Sequence, residues 1–202
     1  MGFYSDRVVP HLVNLSMRSH LLAPYRERIV GQAAGRVLEI GVGSGVNFRF
    51  YTTRATEVVG IEPHPRLLKM ASEKKGRVPA TLIEGSAESI PLDDSSFDTV
   101  VTTWTLCSIP DIARALAEMR RVLKTDGQLL FVEHGLSRDE GVRKWQSRLT
   151  PLWKRIAGGC HLDRPISTLV EAAGFRVSRL DTGYMPGPKP MTFMYEGRAR
   201  PA

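Results

Sequence analysis

A chain of 202 residues, 42% hydrophobic and 24% charged, has the size and composition of one soluble globular domain, large enough to bury a core without staples. Two cysteines, Cys107 and Cys160, exclude a disulfide scaffold, and with no local Cys/His cluster beside them no metal is expected. The net charge of +7 is spread over scattered Lys and Arg with no aromatic-interleaved basic motif, which argues against a nucleic-acid partner and leaves peripheral contact with anionic membrane as the sharper reading of a solvated surface.

Residues 1–10 are mixed and polar rather than a basic segment followed by an apolar run. No stretch reaches the ~18–20 apolar residues of a membrane span, so a cytoplasmic location is expected. Residues 1–34 read as an N-terminal helical segment, with one or two helices over 11–31 broken at Pro24. Leu12, Val13, Leu15, Met17, Leu21 and Leu22 give it a partly amphipathic face. Such a face suits a lid, a membrane-touching segment, or an edge helix packed on the domain that spans 35–202.

From residue 36 the periodicity alternates. Strands are predicted over 36–40, 57–62, 80–84, 97–103 and 128–134, and helices over 65–75 and 112–123, the latter capped by Asp111. Thr125-Asp126-Gly127 reads as a turn. A helix over 139–157 carries Trp145, Leu149, Leu152 and Ile156 at near-helical spacing and should kink or split at Pro151. A helix over 164–173 should stop at Gly174. Strands over 175–182 and 191–196 follow, joined through Met185-Pro186-Gly187-Pro188. Alternating β and α elements imply a parallel sheet with helices on both faces, and the closing strands imply an antiparallel hairpin.

The chemistry is concentrated in Val37-Leu38-Glu39-Ile40-Gly41-Val42-Gly43-Ser44-Gly45, a buried strand running into a glycine bend and an expected helix. Ligands of open α/β sheets bind at such strand ends. Gly41, Gly43 and Gly45 permit backbone angles closed to other residues and let a ligand approach the main chain. The dinucleotide fingerprint needs a third glycine where Val46 stands, and Glu39 would repel a pyrophosphate. A carboxylate there suits a cation such as S-adenosylmethionine, which carries an ammonium and a sulfonium and no phosphate. Glu62 ends the second strand 21 residues after Gly41, placed to accept hydrogen bonds from a ribose diol.

Three further segments extend the pattern: Gly85-Ser86-Ala87-Glu88-Ser89-Ile90-Pro91-Leu92, Ser96-Phe97-Asp98, and Arg121-Val122-Leu123-Lys124-Thr125-Asp126-Gly127-Gln128-Leu129. With the glycine bend they resemble the class I S-adenosylmethionine-dependent methyltransferases of the small-molecule type, over residues 35–197. The resemblance implies a Rossmann-like α/β fold: a seven-stranded, mostly parallel sheet with helices on both faces and a terminal antiparallel hairpin. It implies S-adenosyl-L-methionine as the methyl donor. Glu39, Gly41, Gly43 and Gly45 would then hold the methionine part, and Glu62 the ribose. Pro63 and His64 would lie beside the adenine, Ser86 and Ala87 at its edge, and Thr103 and Trp104 on the methionine side. Ser86 departs from the Asp common in the family, with Glu88 or a backbone N–H as substitutes.

On the acceptor side, Leu106-Cys107-Ser108-Ile109, Phe131-Val132-Glu133-His134 and Gly159-Cys160-His161-Leu162-Asp163-Arg164 are similar to the alkyl-thiol methyltransferases and to phospholipid N-methyltransferase-like enzymes. This implies a small hydrophobic acceptor, thiol or lipid amine favoured. Phenol or quinol O- or C-methylation, and cofactor binding without catalysis, are the alternatives. His134 with Glu133 beside it could deprotonate the acceptor, although neighbours on a strand point to opposite faces. Cys107 reads as pocket wall, His161 and Arg164 as partners for an acidic group, and Trp145 with Trp153 as an apolar cap. The Asn/Asp-Pro-Pro-aromatic run of base-amino methylation is absent, since Thr103-Trp104-Thr105-Leu106 occupies its place.

Overall fold

The computed structural model describes residues 9–202. Residues 1–8 of the expected N-terminal segment, and the side chain of Val13 on its apolar face, lie outside the described residues. The helices are α1 (Val9–Met17), α2 (Ala23–Val30), α3 (Pro65–Ser72), α4 (Ile112–Val122), α5 (Glu140–Ile156), α6 (Ile166–Ala172) and α7 (Lys189–Thr192). The strands are β1 (Gly35–Ile40), β2 (Ala55–Glu62), β3 (Ala80–Glu84), β4 (Phe97–Thr103), β5 (Leu123–His134), β6 (Phe175–Tyr184) and β7 (Phe193–Pro201). Among the described residues no helix is long and apolar enough to cross a membrane.

The seven strands form one sheet in the order β3-β2-β1-β4-β5-β7-β6. The pairs linking β1 to β5 are all parallel, whereas β7 runs antiparallel to both β5 and β6. The expected architecture is therefore borne out. The order reverses at β1, whose neighbours are β2 and β4. Such a reversal opens a crevice beyond the C-terminal strand ends.

Alternation along the strands builds two cores. Leu38, Ile40, Ile61, Val100, Leu129 and Phe131 face one side, where α4 and α6 add Leu116, Met119, Ile166 and Val170. Val37, Val58, Val101, Leu130 and Val132 face the other, against Ile29 and Val30 of α2 and Ala71 of α3. Both faces of the central strands are thus covered, which is why they read as continuous apolar runs. Gly197 of β7 admits the Phe131 ring, since a Cβ there would lie 2.2 Å from it. A two-pronged ion pair from Arg28 to Glu196, at 2.9 and 2.7 Å, ties α2 to β7.

Several boundaries differ from expectation. The glycine bend leads into a 3-10 turn over Val46–Phe50, not a long helix. Strand pairing of β5 begins at Leu123, and its register on β4 jumps from Phe97↔Leu123 to Thr99↔Gln128, so the expected turn at 125–127 survives as a bulge. The predicted proline loop contains the short α7. Pro151 neither splits nor ends α5. The carbonyl that loses its partner there belongs to exposed Ser147 and can be hydrated. The buried stripe of α5 is Val142, Gln146 and Thr150. Gln146, fully buried, accepts from Ser137 N at 2.9 Å and donates to the carbonyls of Gly135 and Pro190. This polar anchor pins α5 to the loop after β5 and to α7.

Candidate functional site

A cavity of about 1270 Å³ lies beyond the C-terminal ends of the central strands, roofed in part by Leu12, Leu15 and Met17 of α1. Every residue expected to hold the cofactor lines it except Gly45. The three glycines of the bend all have positive φ but do different work. A Cβ on Gly41 would lie 2.5 Å from the Thr105 side chain, so this glycine allows the bend to pack on the loop after β4. A Cβ on Gly43 would meet nothing closer than the Gly41 carbonyl at 3.9 Å, so its bare Cα faces the cavity. A Cβ on Gly45 would strike Phe48 at 2.8 Å and come within 3.2 Å of the Ala71 Cα. Gly45 therefore points into the core and caps the 3-10 turn, which corrects its expected contact with the ligand.

Glu39 is buried at the tip of β1, where its carboxyl accepts from Asn47 Nδ2 at 2.9 Å and from Tyr51 OH at 2.8 Å. Burial nevertheless raises its pKa to about 7. Asn47 also donates to Thr103 Oγ1 at 3.0 Å. Arg26 of α2 is 3% exposed and lies 4.5 Å over the ring of Trp104. Its Nε and Nη1 are buried without a partner, and burial lowers its pKa to about 10. Trp104 itself holds a left-handed φ of +51°, fixed by Arg26 on its face, Tyr25 at its edge and a 2.8 Å bond from its N–H to the Val132 carbonyl. Strain of this kind persists where surroundings over-determine it, commonly at ligand sites.

The Glu62 carboxylate accepts from the N–H groups of Gly43 and His64, both at 3.0 Å, and burial raises its pKa. It thus braces the bend as well as facing the cavity. Glu62→Ala is expected to weaken S-adenosylmethionine binding by more than tenfold, about 1.4 kcal/mol or more. Unchanged affinity in calorimetry would remove it from the site. His64 caps α3, its Nδ1 accepting from Arg66 N at 3.3 Å. Glu88 is not the substitute for the missing Asp: it does not line the cavity and is occupied by Ser86 Oγ at 3.0 Å and Asp111 N at 2.6 Å.

These residues fit S-adenosylmethionine. Gly43 leaves the space that its main-chain approach needs. Glu39 offers a carboxylate to its cationic end, and the unpartnered nitrogens of Arg26 offer donors for its carboxylate. Arg26, Asn47 and Tyr51 were not singled out in the sequence. The N-terminal arginine carries no motif, and the other two sit in the turn expected to be helical.

The other end of the cavity is lined by Cys107, His134, Trp153, Cys160, Met185 and Met191. His134 and Glu133 part company, as adjacent strand residues must. His134 lines the cavity, its Nε2 3.0 Å from Cys160 Sγ. Glu133 does not; its buried carboxyl accepts from Thr105 N at 3.1 Å, and burial pushes its pKa up to about 8. Glu133 is thus a positioning residue for the loop after β4, not an acid beside the acceptor. A hydrogen bond from Cys160 holds the Cys107 thiol well below its usual range.

Three expected acceptor residues lie elsewhere. Trp145 is 57% exposed on the outer side of α5, outside the cavity. His161 also lies outside it, its N–H donating to the Cys107 carbonyl at 2.8 Å. Arg164, 8% exposed, spends its guanidinium on the carbonyls of Leu106 and Ile109, the latter at 2.6 Å, and holds the Cys107 loop from behind. Arg164→Met leaves two buried carbonyls unpaired. It is expected to cost about 2 kcal/mol in urea unfolding, near the low end for two such groups because the loop can relax toward the cavity. A change below about 0.5 kcal/mol, the range of an ordinary surface substitution, would contradict this.

Comparison with known proteins agrees with the geometry. Residues 38–131 match the family described as "Methyltransferase domain". The thiol S-methyltransferase TMT1B of Rattus norvegicus is 36% identical over 152 residues, covering 72% of this chain and 62% of the relative. The phosphatidylethanolamine N-methyltransferase of Cereibacter sphaeroides is 35% identical over 116 residues, covering 55% of this chain and 56% of the relative. The chain thus matches somewhat under two thirds of the length of these curated relatives. An S-adenosylmethionine-dependent methyltransferase from Mesorhizobium loti shares the fold, with a TM-score of 0.67 at 16% identity over 91% of this chain and 99% of the other. With the switch-point crevice, the open Gly43 bend and the carboxylates of Glu39 and Glu62 in place, this chain carries a methyltransferase domain of the S-adenosylmethionine-dependent kind.

Proposed function

We propose that this protein transfers the methyl group of S-adenosylmethionine to a small hydrophobic acceptor whose reacting atom is a thiol sulfur. The observation that carries the reading is the continuity of one cavity, from the carboxylate-flanked Gly43 bend to the sulfur-rich, apolar end at Cys107, Cys160, Met185 and Met191. The similarity to a thiol S-methyltransferase over 152 residues supports the sulfur acceptor.

When bound, S-adenosylmethionine supplies an electrophilic methyl carbon on a sulfonium. The chain's contribution is alignment. Glu39, Glu62 and the Gly43 bend fix one partner, and the apolar end seats the other in line with it. Holding two reactants in attack geometry is worth up to ~7–11 kcal/mol of barrier. Trp104 and Trp153 at the cavity wall, with α1 over the opening, exclude water from the reacting atoms.

A lipid amine is the second reading, favoured by an exposed apolar group near the opening. Leu12 and Leu15 of α1 and Ile156 of α5 are 50%, 72% and 46% exposed, and Lys154 and Arg155, which precede Ile156, also line the cavity. Apolar side chains flanked by cations suit peripheral contact with anionic membrane. The test is methyl transfer from labelled donor to an alkyl thiol, a quinol and phosphatidylethanolamine, with and without anionic liposomes. Label in the thiol is the expected result. Label confined to the phospholipid or quinol, or none despite donor binding by calorimetry, would overturn the thiol assignment.

A further inference from the structure

We propose that Cys107, His134 and Cys160 form a three-ligand zinc(II) site whose open fourth position takes the acceptor thiol. The proposal rests on the thiol reading above and assigns a chemical role to the sulfur-rich end of the cavity.

The three side chains come from separate parts of the fold: the loop after β4, the tip of β5, and the turn after α5. Their ligand atoms nonetheless lie within 4.8 Å of one another, the one such cluster among the described residues. One pair, His134 Nε2 and Cys160 Sγ, is 3.0 Å apart. Zn–S and Zn–N bonds of about 2.3 and 2.0–2.1 Å imply tetrahedral ligand separations of roughly 3.5–3.8 Å. The cluster brackets that range, so small side-chain adjustments complete it.

The backbone holds the three together. Cys160 follows Gly158 and Gly159, whose φ values of +60° and +85° turn the chain back toward the cavity. The N–H of His161 donates to the Cys107 carbonyl at 2.8 Å, joining the two cysteine segments. Arg164 fixes the Cys107 loop through the Leu106 and Ile109 carbonyls.

All three residues are buried from solvent yet line the cavity. Two thiolates and one imidazole form a donor set suited to zinc, and three protein ligands with one open position mark a catalytic rather than a structural site. His134 is then a ligand rather than a free base. The methionines and Trp153 around the cluster keep the fourth position in an apolar setting that admits a hydrophobic thiol.

Binding the metal holds Cys107 and Cys160 as thiolates, and whatever thiol protons the pair carries go to solvent. The acceptor R–SH enters the fourth position and loses its proton to solvent, because a coordinated thiol is deprotonated. Its sulfur lone pair forms the new S–CH3 bond. The donor's sulfonium–methyl bond breaks, and its electron pair stays on the donor sulfur. R–SH and the cationic donor thus give R–S–CH3, a neutral thioether and one proton. The methylated sulfur is neutral and a weaker ligand, so product leaves.

The test uses the full chain, reduced and stripped with a chelator, then titrated with cobalt(II) and zinc(II). The expected result is one equivalent of cobalt bound, with tetrahedral d–d bands and a thiolate charge-transfer band. Both change on adding an alkyl thiol and vanish as zinc displaces cobalt. Cys160→Ser and His134→Gln each lower metal affinity by at least a hundredfold, while S-adenosylmethionine affinity in calorimetry stays within threefold. Should a variant fail to fold, the intensity of the wild-type charge-transfer band counts the thiolates and decides alone. Absence of stoichiometric metal, a spectrum without thiolate character, or full thiol methylation by metal-free protein would overturn the site. The last of these would leave the thiol reading intact. The thiol reading fails instead if metal binds as described but added thiol leaves the cobalt spectrum unmoved and no thiol is methylated; that result overturns the open-position role as well.

Discussion

Replacing Gly43 with Val is expected to reduce S-adenosylmethionine affinity by at least a hundredfold, about 2.8 kcal/mol, in calorimetry. The cause is steric and local. The Gly43 Cα faces the cavity, with nothing within reach of a Cβ except the Gly41 carbonyl at 3.9 Å. Any side chain there occupies space the ligand needs. The φ of +54° adds a folding cost of roughly 1–2 kcal/mol for a residue with a Cβ. Circular dichroism and urea unfolding must therefore accompany the binding measurement, and Gly43→Ala carries the same backbone cost with a smaller intrusion. Alanine should fall between wild type and valine in affinity while matching valine more closely in stability. Gly45→Ala provides the contrast. Its Cβ would strike Phe48 and approach Ala71, so stability falls and the affinity of the folded fraction does not. Normal affinity in folded Gly43→Val would remove the main-chain approach from the site.

The sheet was legible because its signals are local. Apolar runs in β1 and β4 declare strands buried on both faces, and alternation with helical periods declares the crossover order. The glycine bend and Glu62 were legible as a ligand site because strand ends and positive-φ turns leave marks in short stretches of sequence. What was not legible depends on distant partners. Trp145, Leu149, Leu152 and Ile156 stand at near-helical spacing on α5, and Trp145 was expected in an apolar cap, yet Trp145 and Leu152 are 57% and 61% exposed. Helix α5 turns Gln146 inward instead, because three backbone groups, two in the loop after β5 and one in α7, need its amide. An apolar count cannot see that demand.

The cluster of Cys107, His134 and Cys160 was hidden in the sequence for the same physical cause. A rule based on short Cys/His spacing finds structural sites carried on one hairpin or loop. It passes over Cys107, His134 and Cys160, which meet only because β4, β5 and α5 all end at the crevice. Arg26 escaped notice for a similar reason. It belongs to an edge helix with no motif, and its value lies in nitrogens that α2 buries beside Glu39 and Trp104.

Glu39→Gln separates binding from folding through pH. Burial raises the Glu39 pKa from 4.5 to about 7 in the folded state. The folded chain therefore holds this proton more tightly than the unfolded chain, and stability falls as pH rises from about 4.5 through 7. At about 1.36 kcal/mol per pH unit, the buried carboxylate costs about 3 kcal/mol by pH 8. Glutamine has no proton to lose, so the variant should gain up to about 3 kcal/mol relative to wild type between pH 4 and pH 8 in urea unfolding. Binding should move the other way. At pH 8 the carboxylate faces a cationic ligand in a low-dielectric cavity, and the variant should bind S-adenosylmethionine more than tenfold weaker. Towards pH 6 the wild-type carboxyl is protonated more of the time, so the affinity ratio between the two proteins should shrink. A ratio rather than a single affinity is the quantity to follow, since the ligand's own ammonium titrates identically in both experiments. A ratio near one at pH 8, or one that does not change with pH, would reduce Glu39 to a support for Asn47 and Tyr51. A stabilised protein that binds poorly would mean that this carboxylate is kept at the tip of β1 for its ligand, at a cost to the fold.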